Sequence, residues 1–402
     1  MGELSTTERD AVERVAAEPM LEQVESWSAI NSGSANLDGL AQVAAALADS
    51  FSHLPGELRL LDPAPVTAVD PDGRERDVAH GPNLHLRVRP VAPVQLLFTG
   101  HMDTVYGADH PFQSLAWKEP GVLGGPGVAD MKGGLAVVLA ALRAVEASPL
   151  ASRLGYEVVI NSDEEVGSPG SAPLIAGAAQ GKRAALTYEP AALPDGTLAG
   201  ARPGSGNFSF IITGRSAHAG RNPEDGRNAV VAAADLALRL SAAKAPGLSI
   251  NVARMDGGGP NNVVPDHAVL RVNLRPVSEA DQQRAQEIVD GTVAAVAARH
   301  DVGIHIHGSF GRPPKPLDRA AEQLFTLVRQ AGADLGQAIR WQPSGGVCDG
   351  NNIAAQRVPV VDTMGVRGGK IHSMEEFLIV ESLAERAALS AVTILRLAAE
   401  AA

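Results

Sequence analysis

One cysteine, Cys348, stands in 402 residues. That excludes an intrachain disulfide and a thiolate metal cluster, and no histidine or acid carries the local signature of a partner for a nucleophilic thiol. Long apolar runs are missing as well: no stretch approaches the roughly 20 residues of a membrane span. Basic charge is in deficit, with 34 Lys and Arg against 46 Asp and Glu and a formal net charge of −12. A surface of that sign repels nucleic acid and anionic membranes, so neither is an expected partner, although the field around a substrate can be locally opposite. Repeats and low-complexity tracts are also lacking. The segment Met1-Gly2-Glu3-Leu4-Ser5, followed by Glu8, Arg9, Asp10, Glu13 and Arg14, has no basic n-region, no apolar h-region and no myristoylation context. These absences point to a cytoplasmic enzyme.

What is present is enough apolar material for sizeable cores: 45% hydrophobic residues against 20% charged. The length suggests two domains, one inserted in the other. Gly and Ser break the opening helical pattern near 31–34, and a helix is expected over 40–48. Strand signals at 84–88 and 94–99, a helix over 133–146, and strands at 156–160 and 184–188 form a βαβ rhythm and predict a helix-flanked sheet. After Glu189-Pro190 the pattern changes. A strand at 207–213, a helix over 228–243, strands at 248–254 and 268–274, a polar helix over 279–298 and a strand at 303–307 follow one another in the ferredoxin-like order β-α-β-β-α-β. Arg312-Pro313-Pro314-Lys315-Pro316 reads as a stiff exit linker. A helix over 320–331, a strand at 359–363 and a final helix from about 375 return to the first rhythm. The expected fold is α/β, with a discontinuous catalytic domain (1–197 and 312–402) interrupted by an α+β domain (198–311).

Two apolar runs end in potential ligands. Val94-Gln95-Leu96-Leu97-Phe98 leads to Gly100-His101-Met102-Asp103, and Tyr156-Glu157-Val158-Val159-Ile160 leads to Asp163-Glu164-Glu165. Open α/β sheets bind ligands where strands run out into loops. Imidazole mixed with carboxylate suits zinc or a similar divalent ion better than calcium or magnesium, which prefer oxygen alone. His101 and Asp103, two apart, point to one side of an extended chain, as a ligand and the carboxylate that orients it would. Alone, the pair equally suits a polar strand end. Asp130, in a glycine-dense turn before a helix, suits an N-cap or a carboxylate shared between two ions. Glu164 and Glu165 are adjacent, so one can bind a metal while the other accepts a proton from water. Glu189 closes a strand and His372 sits in a loop before the last helix; each alone could be an exposed polar residue.

Taken together the residues form an ordered series: His101-x-Asp103, Gly127-x-x-Asp130-x-Lys132-Gly133-Gly134, Asp163-Glu164-Glu165-x-Gly167, Glu189-Pro190, Gly214-Arg215-Ser216-Ala217-His218-Ala219-Gly220 and His372-Ser373. The series resembles the M20 metallopeptidases, the group of glutamate carboxypeptidase, succinyl-diaminopimelate desuccinylase, acetylornithine deacetylase and aminoacylase. The resemblance implies a zinc-exopeptidase-like catalytic domain with helices flanking a mixed sheet, and an inserted ferredoxin-like domain that forms a homodimer. It implies two Zn2+ ions, with Co2+ or Mn2+ as substitutes: Asp130 would bridge them, His101 and Glu189 would complete one site, and Glu165 and His372 the other. Glu164 would be the general base, Asp103 would orient His101, and His218 would reach the partner subunit's active site to polarise the scissile carbonyl. Arg275 and Asn262 resemble the family's contacts to a substrate carboxylate, and Ser344-Gly345-Gly346-Val347-Cys348 resembles its glycine-rich substrate loop.

The expected activity is hydrolysis of an amide, in a small peptide or an N-acyl amino acid, beside a free α-carboxylate. Glu at 189 resembles the carboxypeptidase and deacylase branches. The general look is nearest to glutamate carboxypeptidase, but 191–197 offers no lysine for an acidic substrate side chain. The alternatives are an N-acyl-amino-acid deacylase with the same machinery, or a silent, metal-stabilised dimer that only binds. A silent site needs no spare base, and Glu164 is present.

Overall fold

A computed structural model describes residues 3–400; Met1 and Gly2, where the N-terminal reading starts, lie outside it. The chain builds a mixed six-stranded sheet from β1 (Glu57–Leu61), β2 (Asn83–Val88), β3 (Val94–His101), β4 (Leu154–Asn161), β5 (Ala184–Thr187) and the short strand Val360–Val361. Its spatial order is β1-β2-β4-β3-β5 and then Val360–Val361; the two pairs involving β2 are antiparallel and the others parallel. β3 and β4 read as nearly unbroken apolar runs because both faces of the sheet are covered. Leu96 and Phe98 face the large core, where the helices Thr6–Ala16, Gly134–Glu146 and Glu381–Ala399 pack on one another. Leu97 faces the other way, onto Ile175 and Ile353 of two short helices. Alternation along a strand requires this split.

A second sheet is formed by β6 (Ser205–Thr213), β7 (Leu248–Gly257), β8 (His267–Pro276) and β9 (Gly303–Arg312), antiparallel in the order β7-β8-β6-β9. The helices Ala229–Ala242 and Glu279–His300 complete the expected β-α-β-β-α-β order. This sheet has its own core, with Phe208, Phe210, Leu236, Leu270 and Val289. The architecture is the α/β class with a ferredoxin-like insertion that the sequence rhythm predicts.

Two local expectations need correction. The last helix begins at Glu381, not near 375. Phe377–Ile379 instead pairs with Val122–Gly124 and Gly368–Gly369 in a small sheet, which anchors the His372 loop at its C-terminal end. The segment 312–316 is stiff but is no mere linker: Arg312 and Lys315 are buried. A buried cation needs a paired anion, and Glu164 and Asp362 supply them. No helix among the described residues is long and apolar enough to cross a membrane.

Candidate metal centre

The parallel strands β3, β4 and β5 deliver His101, the Glu164-Glu165 turn and Glu189 to one edge of the main sheet. His101 and Asn161 are opposite one another in the β3–β4 register, so the residues following each strand emerge side by side. The Nδ1 of His101 lies 3.0 Å from the main-chain oxygen of Asp103 and 3.4 Å from its Oδ1. Donation from Nδ1 to that carbonyl leaves the lone pair of Nε2 facing inward, the tautomer a metal ligand needs. The Asp103 carboxylate has other partners besides the ring. It accepts the N–H groups of Glu164 and Glu165, both at 3.1 Å, and the Ser34 hydroxyl at 2.7 Å. It thereby fixes the turn that carries the two acids.

Asp130 sits in the irregular turn Val128–Gly133, and its peptide bond to Met131 is cis. The carboxylate of Glu376 holds this turn by accepting the N–H groups of Ala129 at 3.0 Å and Asp130 at 3.1 Å. Asp130 Oδ1 is 3.1 Å from His101 Nε2, and Asp130 Oδ2 is 3.3 Å from His372 Nε2. His372 Nε2 is also 3.1 Å from Glu165 Oε2, and His101 Nε2 is 3.6 Å from Glu189 Oε2. Potential ligand atoms of His101, Asp130 and Glu165 lie within 4.8 Å of one another, as do those of His101, Glu164 and Glu189.

The electrostatics show what this cluster is short of. Burial pushes the carboxyls of Glu164 and Glu165 up, against the pull of Arg312 on the first and of His372 on the second. Burial raises Glu189 to about 7 even with His101 beside it. Burial disfavours a charged His101, but the Glu189 charge and hydrogen bonds to Asp103, Asp130 and Glu189 override it and hold its pKa well up. Bonds to Asp130 and Glu165 push His372 up to about 11. Asp130 moves down because the two imidazoles outweigh its burial. Four close carboxylates share two imidazoles and Arg312, so even with both rings protonated the cluster is short of positive charge. A divalent cation would supply it, and the imidazole-carboxylate donor set suits zinc-like ions. The residues fit a metal centre.

A sequence model of peptidase family M20/M25/M40 matches residues 97–396. Carboxypeptidase G2 of a Pseudomonas species is 30% identical over 330 residues, covering 79% of this chain and 78% of that protein. The chain belongs to peptidase family M20/M25/M40. Succinyl-diaminopimelate desuccinylase 1 of Alteromonas mediterranea is 27% identical over 319 residues, 72% of this chain and 79% of that one. Among solved structures, a tripeptidase from Staphylococcus aureus shares the fold with a TM-score of 0.71 at 20% identity, covering 97% of this chain and 99% of that one. A Bacillus subtilis protein described as a dinuclear metal binding peptidase of the M20 family shares it with a TM-score of 0.64 at 16% identity, covering 94% and 97%. As a member of this family the protein is a metallohydrolase.

In this M20 hydrolase a cleft of about 340 Å³ opens beside the cluster and is lined by Glu164, Glu165, Asn273, Arg275, Arg312 and Gly346, among others. An adjoining space of about 250 Å³ is lined by Asp130, Glu189 and again Glu164, Glu165, Gly346 and His372. Arg275 is steered by the Asn273 side-chain oxygen at 3.0 Å and donates to the Gly345 carbonyl at 3.2 Å. His218 and Asn262 lie elsewhere. Their neighbouring segments pair, with His218 opposite Val263 and Ala219 N donating to Asn262 O at 3.0 Å, but both residues are exposed and neither lines these spaces.

Several residues shape the site although no role in it was expected of them. Arg312 places Nη2 2.7 Å from Glu164 Oε1. Glu376 is fully buried, raised to about 7 chiefly by burial, and also accepts the Tyr106 hydroxyl at 2.9 Å. Lys132 is buried 2.5 Å from Ser32 Oγ and drops to about 8, because burial outweighs the surrounding acids. The signals available were an arginine opening a proline run, the second of two adjacent glutamates and, for Lys132, its place in the Gly127-x-x-Asp130-x-Lys132 series.

Proposed function

We propose that this enzyme hydrolyses an amide bond, peptide or N-acyl, beside a free α-carboxylate, using two Zn2+ ions for which Co2+ or Mn2+ can substitute. The observation that carries the reading is Asp130, whose two oxygens face different imidazoles at 3.1 and 3.3 Å. A carboxylate so placed suits a bridge, with His101 and Glu189 on one side and Glu165 and His372 on the other. Metals held there would lower the pKa of water and polarise the carbonyl. Glu164 takes the proton of the attacking water and hands it to the leaving amine. Asp103 keeps both His101 and the Glu164 turn in position.

Arg275 binds the substrate carboxylate, for which a guanidinium is suited, with Asn262 as a further contact and Gly345-Gly346 as the loop against which the substrate lies. His218 donates to the carbonyl oxygen of a substrate in the partner copy. That role accords with its position on the exposed loop between β6 and the helix Ala229–Ala242, away from its own chain's cleft. It also assigns 198–311 to dimerisation and 1–197 with 312–402 to catalysis, in a cytoplasmic homodimer.

A second reading, N-acyl-amino-acid deacylase, is favoured by the similarity to desuccinylases and by the lack of a lysine in 191–197. A hydrolysis panel of N-acyl amino acids, peptides and folate-type glutamates separates the two. Activity confined to amides with no neighbouring free α-carboxylate overturns both.

A further inference from the structure

The chain passes between its two sheets twice, through 199–204 and 312–316. These two crossings lie side by side. Arg202 and Lys315 pair antiparallel, with N–H···O bonds of 2.9 and 3.0 Å in the two directions. The side-chain amide of Asn351 ties them again, donating to Pro203 O and to Pro313 O at 2.8 Å each. Under this ribbon lies Asp362, fully buried. Its carboxylate takes Arg202 through Nε at 2.7 Å and Nη2 at 3.2 Å, and Lys315 through Nζ at 2.9 Å.

Each crossing also sends an arginine to the glycine-rich loop. Arg202 Nη1 donates to Gly346 O at 3.2 Å, and Arg312 Nη1 donates to the neighbouring Val347 O, also at 3.2 Å. The main chain adds Ser344 N to Ala201 O at 2.9 Å. Gly345 and Gly346 have no side chains with which to anchor themselves, and Gly346 lines both spaces of the site. A loop of that composition is conformationally permissive, so its shape depends on what grips its carbonyls.

We infer that Arg202, set by Asp362, is a positioning residue that fixes the Gly346 wall of the substrate cleft to the paired crossings. Its bidentate bond to Asp362 determines where Nη1 points, and Nη1 holds the loop. Any movement between the two sheets must pass through the crossings, so it reaches the cleft wall directly. The effect on catalysis rests on the function proposed above; the grip on the loop does not.

Charge supplies a clean comparison. Asp362 faces two cations, so Arg202→Met and Lys315→Met each leave one neutral buried ion pair, but only Arg202→Met releases the Gly346 carbonyl. Hydrogen exchange across 344–348 should accelerate about tenfold or more in Arg202→Met and stay at the wild-type rate in Lys315→Met. With any amide the wild type cleaves, KM should rise about tenfold in Arg202→Met with kcat within about twofold, the mark of lost substrate positioning rather than lost chemistry. If Arg202→Met does not fold, Arg202→Lys keeps the charge on Asp362 and should show the same faster exchange. Equal exchange in the arginine and lysine variants overturns the inference, as does faster exchange with an unchanged KM. A wild type that cleaves none of the amides defeats the functional proposal alone, while the exchange comparison still decides this one.

Discussion

Arg312 lies against Glu164 twice over, with Nη2 2.7 Å from the carboxylate Oε1 and 2.9 Å from the main-chain oxygen of the same residue. The acid proposed as general base is thus held by a cation from the end of β9, in the other sheet. A base that must meet water and a leaving amine in turn needs such definition, because small displacements of a reacting group are costly.

Glu164→Ala tests the base directly. Metal content per chain, measured by elemental analysis, should match the wild type, while kcat falls by about 10²–10⁴-fold, the usual range for a lost general acid–base. Unchanged turnover removes Glu164 from that role.

Asp130→Asn and chelation probe the metal centre. Dialysis against a chelator should abolish hydrolysis, with recovery on adding Zn2+, and Asp130→Asn should bind less metal at the same free concentration. Metal that binds only the folded chain should also stabilise it, by about 2.7 kcal/mol at 100 times Kd, and so raise the melting temperature. A melting temperature indifferent to chelator contradicts a centre built from buried carboxylates.

Glu157 gives a pH signature away from the cluster. Burial raises its carboxyl, but bonds from His85 and Lys182 prevail and hold it at about 2, below its ordinary 4.5. A depressed acid stabilises the fold above its unfolded pKa and loses that contribution as pH falls through the folded one. Wild-type stability should therefore decline between about pH 4.5 and 2 more steeply than that of Glu157→Gln, as urea unfolding at stepped pH would record. Parallel profiles exclude the linkage.

Cys348 should be chemically quiet. It is buried, 3.5 Å from Asp362 Oδ2, and burial pushes its thiol well above the usual range, so no thiolate is available. Cys348→Ser should retain kcat within a few-fold, roughly the scale of a mild packing change. A loss like that of Glu164→Ala would reopen a cysteine mechanism.

The sequence by itself determined the local matters. The mostly apolar runs ending at Phe98 and Ile160 set β3 and β4, because a strand covered on both faces is apolar along nearly all its length. The β-α-β-β-α-β rhythm between 205 and 312 set the second sheet. The ordered series His101, Asp130, Glu164-Glu165, Glu189 and His372, through its resemblance to the M20 metallopeptidases, named the acids and imidazoles that converge. Only the tertiary structure decided what holds them. Glu376, Arg312, Arg202 and Asp362 lie in no motif, and the periodicity of no element singles them out. Their meaning comes from burial, since a charge removed from water must find its counter-charge or hydrogen bonds. Those partners lie far away along the chain: Arg312 finds Glu164, Arg202 finds Asp362, and Glu376 finds the N–H groups of Ala129 and Asp130. The chain order carries the ligands; the folded interior supplies the framework that aims them.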